Sequence, residues 1–140
     1  MECIWSGYGA CPQEARAIRE TVFVQEQGFC SEFDEMDAQS YHVLLCRDGR
    51  AIGTARLFAE PEPGSMHIGR VAVLREERGG GSGSAILTAC CDKARALGAR
   101  RVVLGAQCRA MAFYEKNGFQ PFGGEYDDEG CPHHMMEKKL

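Results

Sequence analysis

Apolar residues in the first half of the chain follow two spacings, one helical and one extended. They recur at helical spacing from Ala15 to Val22, and Pro12 is well suited to the first turn of such a helix. An irregular, acidic stretch follows over 26–37. Asp48-Gly49 then predicts a tight hairpin between two strands. The strands predicted in this half cover 42–47, 51–60 and 66–74.

The second half predicts a longer helix whose apolar positions share one face. Gly98 follows this stripe and ends the helix. The stripe consists of Ile86, Leu87, Cys90, Ala94 and Leu97. A strand, a short helix and two final strands come next, over 101–106, 110–116, 119–126 and 131–139. No repeat or linker interrupts this order, so we expect one α/β domain over residues 1–140.

Composition narrows the classes of protein that this chain can form. Apolar residues make up 44% of the 140 residues and charged residues 26%, as in ordinary globular domains. The net charge of -4 argues against a nucleic-acid partner, and no stretch reaches the roughly 20 apolar residues of a membrane span. The first residues lack the basic start and apolar run of a signal peptide, so we expect a cytoplasmic protein.

The chain contains eight cysteines, and none of them form the C-x-x-C spacing of zinc ribbons or thioredoxin-like pairs. Disulfide frameworks belong to short secreted chains, so we expect reduced thiols that act as small core or helix residues. Cys131-Pro132-His133-His134 is the one cluster with metal-ligand chemistry. A strand end explains these residues as well, and we expect no metal.

A run of glycines lies between the third predicted strand of the first half and the long helix. It reads Arg78-Gly79-Gly80-Gly81-Ser82-Gly83, and its backbone amides stand at the positive end of the helix dipole. Glycines let a phosphate approach the backbone and tolerate positive φ. The pattern therefore predicts a pyrophosphate site. It lacks the Gly-Lys-Ser/Thr of a Walker loop and the spacing of a Rossmann fingerprint.

Two motifs carry a resemblance to a known family. Arg78, Gly81 and Gly83 match Arg/Gln-x-x-Gly-x-Gly/Ala, which resembles the acetyl-CoA loop of the GNAT superfamily of N-acetyltransferases. The segment from Gln107 to Phe119 resembles the family's N-x-x-A-x-x-F-Y-x-x-x-G-F pattern, with Gln107 in place of Asn. The resemblance covers residues 13–139. It implies the acyl-CoA N-acyltransferase fold of the α/β (α+β) class, with a mixed, mostly antiparallel sheet of six or seven strands and about four helices.

Within the superfamily, the chain most resembles the ElaA/YjcF-like group. Three segments carry this resemblance: Arg19-x-x-Val22-Phe23-Val24-x-Glu26-Gln27, the spaced acids ahead of His42, and Asp128-Glu129-Gly130-Cys131-Pro132-His133. The acceptors of this group are mostly unassigned, so the resemblance leaves the acceptor open.

The resemblance implies acetyl-CoA as co-substrate. It assigns the pantetheine arm to the backbone of one strand and the phosphates to the glycine loop. The cofactor-binding residues that it implies are Val71, Ala72, Val73, Arg78, Gly79, Gly80, Gly81, Ser82, Gly83 and Gln107. Tyr114 matches the family position that protonates the departing thiolate or donates a hydrogen bond to its sulfur. The alternative is that Tyr114 is a core aromatic residue beside Phe113.

An acceptor amine must lose a proton before it attacks, and several side chains are candidate bases or substrate contacts. They are Glu26, Asp34, Asp37, His42 and His133, with Glu35 as a further candidate base. No Lys or Arg occurs between Thr21 and Cys46, and Glu32 brings the acids there to five. Such an acidic field would attract a cationic amine. A solvated acidic loop explains the same residues, and the base stays unassigned.

These observations favour an acetyl-CoA-dependent N-acetyltransferase that transfers an acetyl group to a primary amine on a small molecule by direct attack on the thioester. A non-catalytic acetyl-CoA-binding sensor or scaffold with the same fold is the alternative. A redox or metal protein built on the cysteines is a third interpretation. We expect an amine acceptor as partner, and neither nucleic acid nor membrane. The oligomeric state is open, with a homodimer as one option.

Overall fold

The computed structural model describes residues 1–30 and 33–140 of the chain. Glu32, one of the five acids counted above, lies outside the described residues. The strands and α-helices are β1 (Glu2–Trp5), α1 (Gln13–Arg19), β2 (Tyr41–Arg47), β3 (Arg50–Ala59), β4 (Ser65–Val73), α2 (Ser82–Ala96), β5 (Arg101–Gln107), α3 (Met111–Lys116), β6 (Gln120–Asp128) and β7 (Cys131–Lys139). A π-helical segment, Glu20–Glu26, continues α1 directly. Short 3-10 turns cover Glu35–Gln39, Arg75–Glu77 and Cys108–Ala110.

The seven strands form one mixed sheet in the order β1-β2-β3-β4-β5-β7-β6. Every neighbouring pair is antiparallel except β4 and β5, which are parallel. A parallel pair needs a crossover connection, and α2 provides it. The predicted fold class is therefore confirmed, with seven strands and, among the described residues, three α-helices.

Helices cover both faces of this sheet. Successive side chains of a strand point to opposite faces, and β2 shows this directly. Val43 and Leu45 belong to the large core cluster that includes the buried residues of α2. Leu44 and Cys46 pack against Ala15 of α1 instead. Both faces of β2 are thus buried, and this explains why its apolar residues form a continuous run instead of alternating with polar ones.

Two features of the elements differ from the predictions. Leu97 is not part of the buried stripe of α2: it is the C-cap and is 43% exposed, because the helix has already ended, while Cys91 is buried. Strand β1 was not predicted, since a four-residue edge strand offers too few positions for a pattern. All eight cysteines are free thiols. Cys46, Cys90 and Cys91 are buried as expected, whereas Cys30 is exposed and the other four are half-buried.

Strands β4 and β5 pair only over their first residues, and this creates a gap in the sheet. The paired residues are Ser65 with Arg101, Met66 with Val102 and His67 with Val103. Beyond them, β4 continues its pairing with β3, and β5 continues with β7. Opposite Ala55, β4 places two residues, Arg70 and Val71, and Arg70 has a φ of 52°. This bulge bends β4, so the two parallel strands diverge toward their carboxyl ends.

Among the described residues, no helix combines the length and the apolar content that a membrane crossing needs.

Candidate active site

A cavity of about 250 Å³ lies between the diverging strands. Four parts of the fold line it: the divergent halves of β4 and β5, the helical segment after α1 with its following loop, the start of α3, and the turn between β6 and β7. The lining residues are Phe23, Gln27, Phe29, Ile68, Gly69, Arg70, Val71, Leu104, Gly105, Gln107, Ala110, Tyr114, Asp128, Glu129 and His133. The cavity therefore combines apolar walls with a few polar groups, as binding sites for small molecules do.

Tyr114 reaches this cavity from α3. Its ring packs against Phe113, with centroids 5.1 Å apart, and against Phe119 at 6.0 Å. Burial raises the pKa of Tyr114 to about 12, with a smaller contribution from Cys90. The phenol therefore keeps its proton at neutral pH, as a hydrogen-bond donor must. Tyr114 packs on the core with one side and lines the cavity with another.

The glycine loop leads into the first turn of α2. Gly79 and Gly81 have φ values of 87° and 81°, in the left-handed region that glycine adopts without strain. Gly81 is the N-cap of α2, and within the described chain no side chain caps this end. The first amides of the helix have no intrahelical partner, and the helix dipole makes this end positive. The loop therefore presents an anion-binding end.

Gly80 and Gly83 are glycines for different reasons. A Cβ at Gly83 would lie 2.7 Å from the ring of Phe113, so the contact between α2 and α3 excludes a side chain there. This packing explains Gly83 without the phosphate that we expected from the sequence. At Gly80, the only heavy atom within 4 Å of a Cβ among the described residues is Nη2 of Arg47, at 3.6 Å. Gly79 and Gly81 also have room for a Cβ but have positive φ, so Gly80 is the position of the loop that can take a side chain without backbone strain or a collision.

Arg78 pairs with an acid that we had expected on the acceptor side. Its two terminal nitrogens donate to the carboxylate of Glu26 at 2.8 and 2.9 Å, and its Nε donates to the carbonyl of Val73 at 2.9 Å. Arg75 lies 3.5 Å from the same carboxylate. The hydrogen bonds from Arg78 hold the pKa of Glu26 below its usual range. Glu26 thus lies beside the glycine loop.

Asp34 and Asp37 form ion pairs with arginines. Asp37 is buried and accepts hydrogen bonds from Arg19 at 2.9 Å and Arg56 at 3.0 Å. Asp34 accepts from Arg56 at 2.6 Å and from Arg70 at 3.3 Å. Burial opposes the ionisation of Asp37, but the hydrogen bonds and charges of its two arginines outweigh this, so its pKa is lowered. The hydrogen bond from Arg56 is the main reason that the pKa of Asp34 is lowered.

These pairs remove most of the acidic field that the sequence predicted. The partner arginines lie outside the stretch from Thr21 to Cys46, and only the fold brings them to it. His42 is buried, with its Nε2 2.9 Å from the backbone oxygen of Asp37, and burial lowers the pKa of its ring. Asp34, Asp37 and His42 are all absent from the described lining of the cavity. The expectation that they contact an acceptor therefore stays a prediction, and this cavity does not support it.

Gln107 and His133 do line the cavity, and they are register partners on β5 and β7. Gln107 donates to the side-chain oxygen of Gln27 at 2.7 Å and accepts from Arg109 at 2.8 Å. His133 lies with Nδ1 2.8 Å from the carbonyl oxygen of Cys131 and with Nε2 4.0 Å from a carboxylate oxygen of Asp128. Of the five residues predicted for the acceptor, His133 is the one that the described structure brings into a cavity with Tyr114.

Several residues at the site were not singled out from the sequence. Arg47 reaches the glycine loop from the end of β2, and Arg70 and Phe29 line the cavity. Phe23 and Gln27 occur in a segment quoted for its family resemblance, but nothing local distinguishes them from other residues of that segment. Only the three-dimensional arrangement identifies these side chains.

One group of metal-ligand side chains also occurs in the described chain. Atoms of Cys11, Asp37 and His42 lie within 4.8 Å of one another. The guanidinium of Arg19 lies among them and donates to Asp37 at 2.9 Å and to the sulfur of Cys11 at 3.6 Å. A fixed positive charge in this position repels a cation, so these residues do not fit a metal site.

Three features are typical of the acyl-CoA N-acyltransferase class of fold: the gap between β4 and β5, the glycine loop at the start of α2, and the tyrosine in the gap. The family comparison agrees with this class. The model of the acetyltransferase (GNAT) family matches residues 8–119, and the chain belongs to this family.

Relatives cover nearly the whole chain. The uncharacterized N-acetyltransferase YjcF of Bacillus subtilis is 33% identical over 129 residues, which are 90% of this chain and 91% of YjcF. A crystal structure from Lactobacillus plantarum superimposes with a TM-score of 0.89 at 32% identity and covers 99% of this chain and 97% of its own. ElaA of Escherichia coli gives a TM-score of 0.86 at 25% identity, with 98% of each chain covered. The resemblance stated from the motifs is therefore confirmed.

Proposed function

We propose that residues 1–140 form one N-acetyltransferase domain that uses acetyl-CoA to acetylate a primary amine. The observation that carries this proposal is the divergence of β4 from β5, which places Tyr114 and an unpaired edge of β4 around one cavity. An acetyl donor and an acceptor must meet in such a gap. The volume of about 250 Å³ supports a small acceptor.

The residues around the gap fit acetyl-CoA. The open edge of β4 from Val71 to Val73 can hold an extended arm by backbone hydrogen bonds, as an added strand would. The amides of Gly81 to Gly83 suit the pyrophosphate, because they stand at an uncapped helix end. Arg47 and Arg78 lie beside the same loop, and each is ion-paired with an acid, Glu77 and Glu26, with which a bound phosphate would compete. The assignment of these residues as the donor site is part of the proposal.

Tyr114 has a specific role in this proposal. When bound, acetyl-CoA supplies an activated acetyl group, which the amine nitrogen attacks directly at the thioester carbon. Tyr114 holds its proton up to about pH 12 and donates a hydrogen bond where negative charge develops on sulfur. The strong hold on this proton favours a hydrogen bond over complete transfer.

Two measurements on the full chain test this function. Calorimetry should show that acetyl-CoA binds at one site per chain. Thiol release should then appear with at least one member of a panel of polyamines, amino acids, aminosugars and amino-terminal peptides. Binding without thiol release from any class of amine would favour the sensor or scaffold alternative, and absence of binding would contradict both functions.

A further inference from the structure

The gap between β4 and β5 holds a second group with acid–base chemistry besides Tyr114. We propose that His133 removes the proton from the acceptor amine, a role that rests on the function proposed above. His133 and Tyr114 line the same cavity but come from different elements, β7 and α3. A donor for the departing sulfur and an acceptor for the amine proton are thus both present in one small space.

The hydrogen bond of the His133 ring determines which nitrogen is basic. Nδ1 lies 2.8 Å from the carbonyl oxygen of Cys131, and a carbonyl only accepts hydrogen bonds. Nδ1 must therefore carry the hydrogen in the neutral ring, which leaves the lone pair on Nε2. His133 as a whole residue is 7% exposed. Its ring packs beside those of Tyr126 and Phe29, with centroids 5.6 Å and 6.4 Å away. These contacts hold the ring and its tautomer in place.

Charged and titratable groups face this ring from several elements. Nε2 lies 4.0 Å from the carboxylate of Asp128, which stabilises the ring once it is protonated. The side chain of Asp128 is 53% exposed, so a proton has a short path to water from here. The other groups around the same cavity are Arg70 on β4, Tyr114 on α3 and Glu129 in the turn before β7, and Tyr126 on β6 packs against the ring itself. Among the charged groups of the described contacts, the carboxylate of Asp128 is thus the one closest to Nε2.

The remaining candidate bases, Glu35 included, do not belong to the described lining of the cavity. Glu26 is held by Arg78, and Asp34 and Asp37 are held by Arg56. Their lowered pKa values make them weak bases. His42 is buried outside the cavity. His133 combines a lone pair, a fixed tautomer and a position on the cavity wall.

The proton and electron balance of the step is simple. Nε2 takes one proton from the ammonium group, which yields a neutral amine and an imidazolium ring. The nitrogen lone pair forms a bond to the acetyl carbon as the carbon–sulfur bond breaks, and that electron pair leaves on sulfur. The nitrogen loses a second proton, and the sulfur takes up one. The products are an amide, a thiol and one proton, which His133 passes to water beside Asp128.

The test compares His133→Gln with His134→Gln, its neighbour on the opposite face of β7. The two probes are benzylamine, which is mostly protonated at neutral pH, and hydroxylamine, which is mostly unprotonated. We expect His133→Gln to lower kcat/KM for benzylamine about 10²-fold or more, and to affect hydroxylamine much less, because hydroxylamine needs no base before attack. His134→Gln should match the wild type with both amines.

The pH profile gives a second readout. With benzylamine, kcat/KM of the wild type should reach a plateau at pH values where benzylamine is still mostly protonated, because the enzyme's own base takes up the amine proton. In His133→Gln it should instead rise about tenfold per pH unit, since only the free amine then reacts. If acetyl transfer by His133→Gln keeps both the plateau and the wild-type rate, the role of His133 is refuted while the acetyltransferase function stands.

A third readout does not depend on turnover. Nitrogen-15 NMR of the free wild-type protein should show the hydrogen of the neutral His133 ring on Nδ1. Calorimetry should show unchanged acetyl-CoA binding in His133→Gln. A hydrogen on Nε2 would overturn the proposal even where neither amine is a good acceptor.

Discussion

At the scale of single residues, the hydroxyl of Tyr114 is the group whose removal tests the proposed chemistry most directly. The Tyr114→Phe variant removes one oxygen and keeps the ring contacts with Phe113 and Phe119. We expect kcat to fall about 10²-fold if the phenol transfers a proton, and less if it only donates a hydrogen bond to sulfur. The KM for acetyl-CoA should change little, because the hydroxyl acts as charge develops.

Steady-state kinetics with a saturating acceptor measure this change. Tyr8→Phe is the matched control, since Tyr8 is 61% exposed and does not belong to the described lining of the cavity. An unchanged kcat in Tyr114→Phe, under conditions where chemistry limits the rate, would show that Tyr114 is only a packing residue.

Gly80 tests the glycine loop better than its neighbours do. Valine at Gly81 would be strained by the positive φ, and valine at Gly83 would collide with Phe113. Gly80→Val introduces a side chain into open space, where we propose that phosphate approaches. Acetyl-CoA affinity should fall about tenfold or more by calorimetry, with little change in Tm.

Gly7→Val is the control for this substitution. Gly7 has nothing within 4 Å of its Cβ position among the described residues, and it lies in the loop after β1. Wild-type affinity in Gly80→Val would show that this loop does not bind the donor.

At the scale of elements, the helical segment after α1 is coupled to the glycine loop. Its last residue, Glu26, neutralises Arg78, while Phe23 from the same segment lines the cavity. A phosphate at the loop competes with Glu26 for Arg78. We expect Glu26→Gln to tighten acetyl-CoA binding about fivefold, as the loss of a partly exposed ion pair of ~1 kcal/mol would allow.

Calorimetry at low and moderate salt checks this expectation. The affinity of Glu26→Gln should depend more steeply on salt than that of the wild type, because Arg78 is then unpaired with the carboxylate. Glu14→Gln, at the exposed start of α1, is the control. Weaker binding in Glu26→Gln would mean instead that Glu26 positions Arg78 for the donor.

At the scale of the whole molecule, the buried pair of Arg19 and Asp37 ties α1 to the segment ahead of β2. Arg19 is 1% exposed, and Arg56, the second partner of Asp37, is 4% exposed. Asp37→Asn replaces the carboxylate that accepts from these two buried guanidinium groups with a neutral amide. We therefore expect Asp37→Asn to lower the free energy of unfolding at neutral pH by about 3–5 kcal/mol, measured by urea denaturation.

The same pair gives the protein a defined sensitivity to acid. The pKa of Asp37 is lower in the folded than in the unfolded chain, so the unfolded chain binds its proton first as the pH falls. The contribution of Asp37 is full above the ordinary aspartate value of 3.8 and is lost as the pH falls through the lower folded value. Below pH 3.8, the wild type should lose stability more steeply than Asp37→Asn. Parallel curves for the two proteins would contradict this.

The sequence by itself determined those features that depend on local chemistry. Period-2 and helical spacings predicted six of the seven strands and the three α-helices. Asp48-Gly49 predicted its hairpin, and both residues have positive φ, 52° and 77°, as such a turn requires. The glycine run and the segment around Tyr114 identified the family because each motif is a contiguous stretch of chain. Local backbone constraints depend on residues that are neighbours in the sequence, so they can be recognised without a structure.

Only the tertiary structure decided the partners of charged side chains and the contents of the cavity. The acids from Glu26 to Asp37 formed an unbroken negative stretch in sequence, yet Arg56, Arg70 and Arg78 come from distant strands and loops to pair with several of them. His42 and His133 were equivalent candidates in the sequence; the fold buries both, but of the two only His133 belongs to the described lining of the cavity. Electrostatic interactions act through space and depend on distance and burial, and neither follows from the order of residues along the chain.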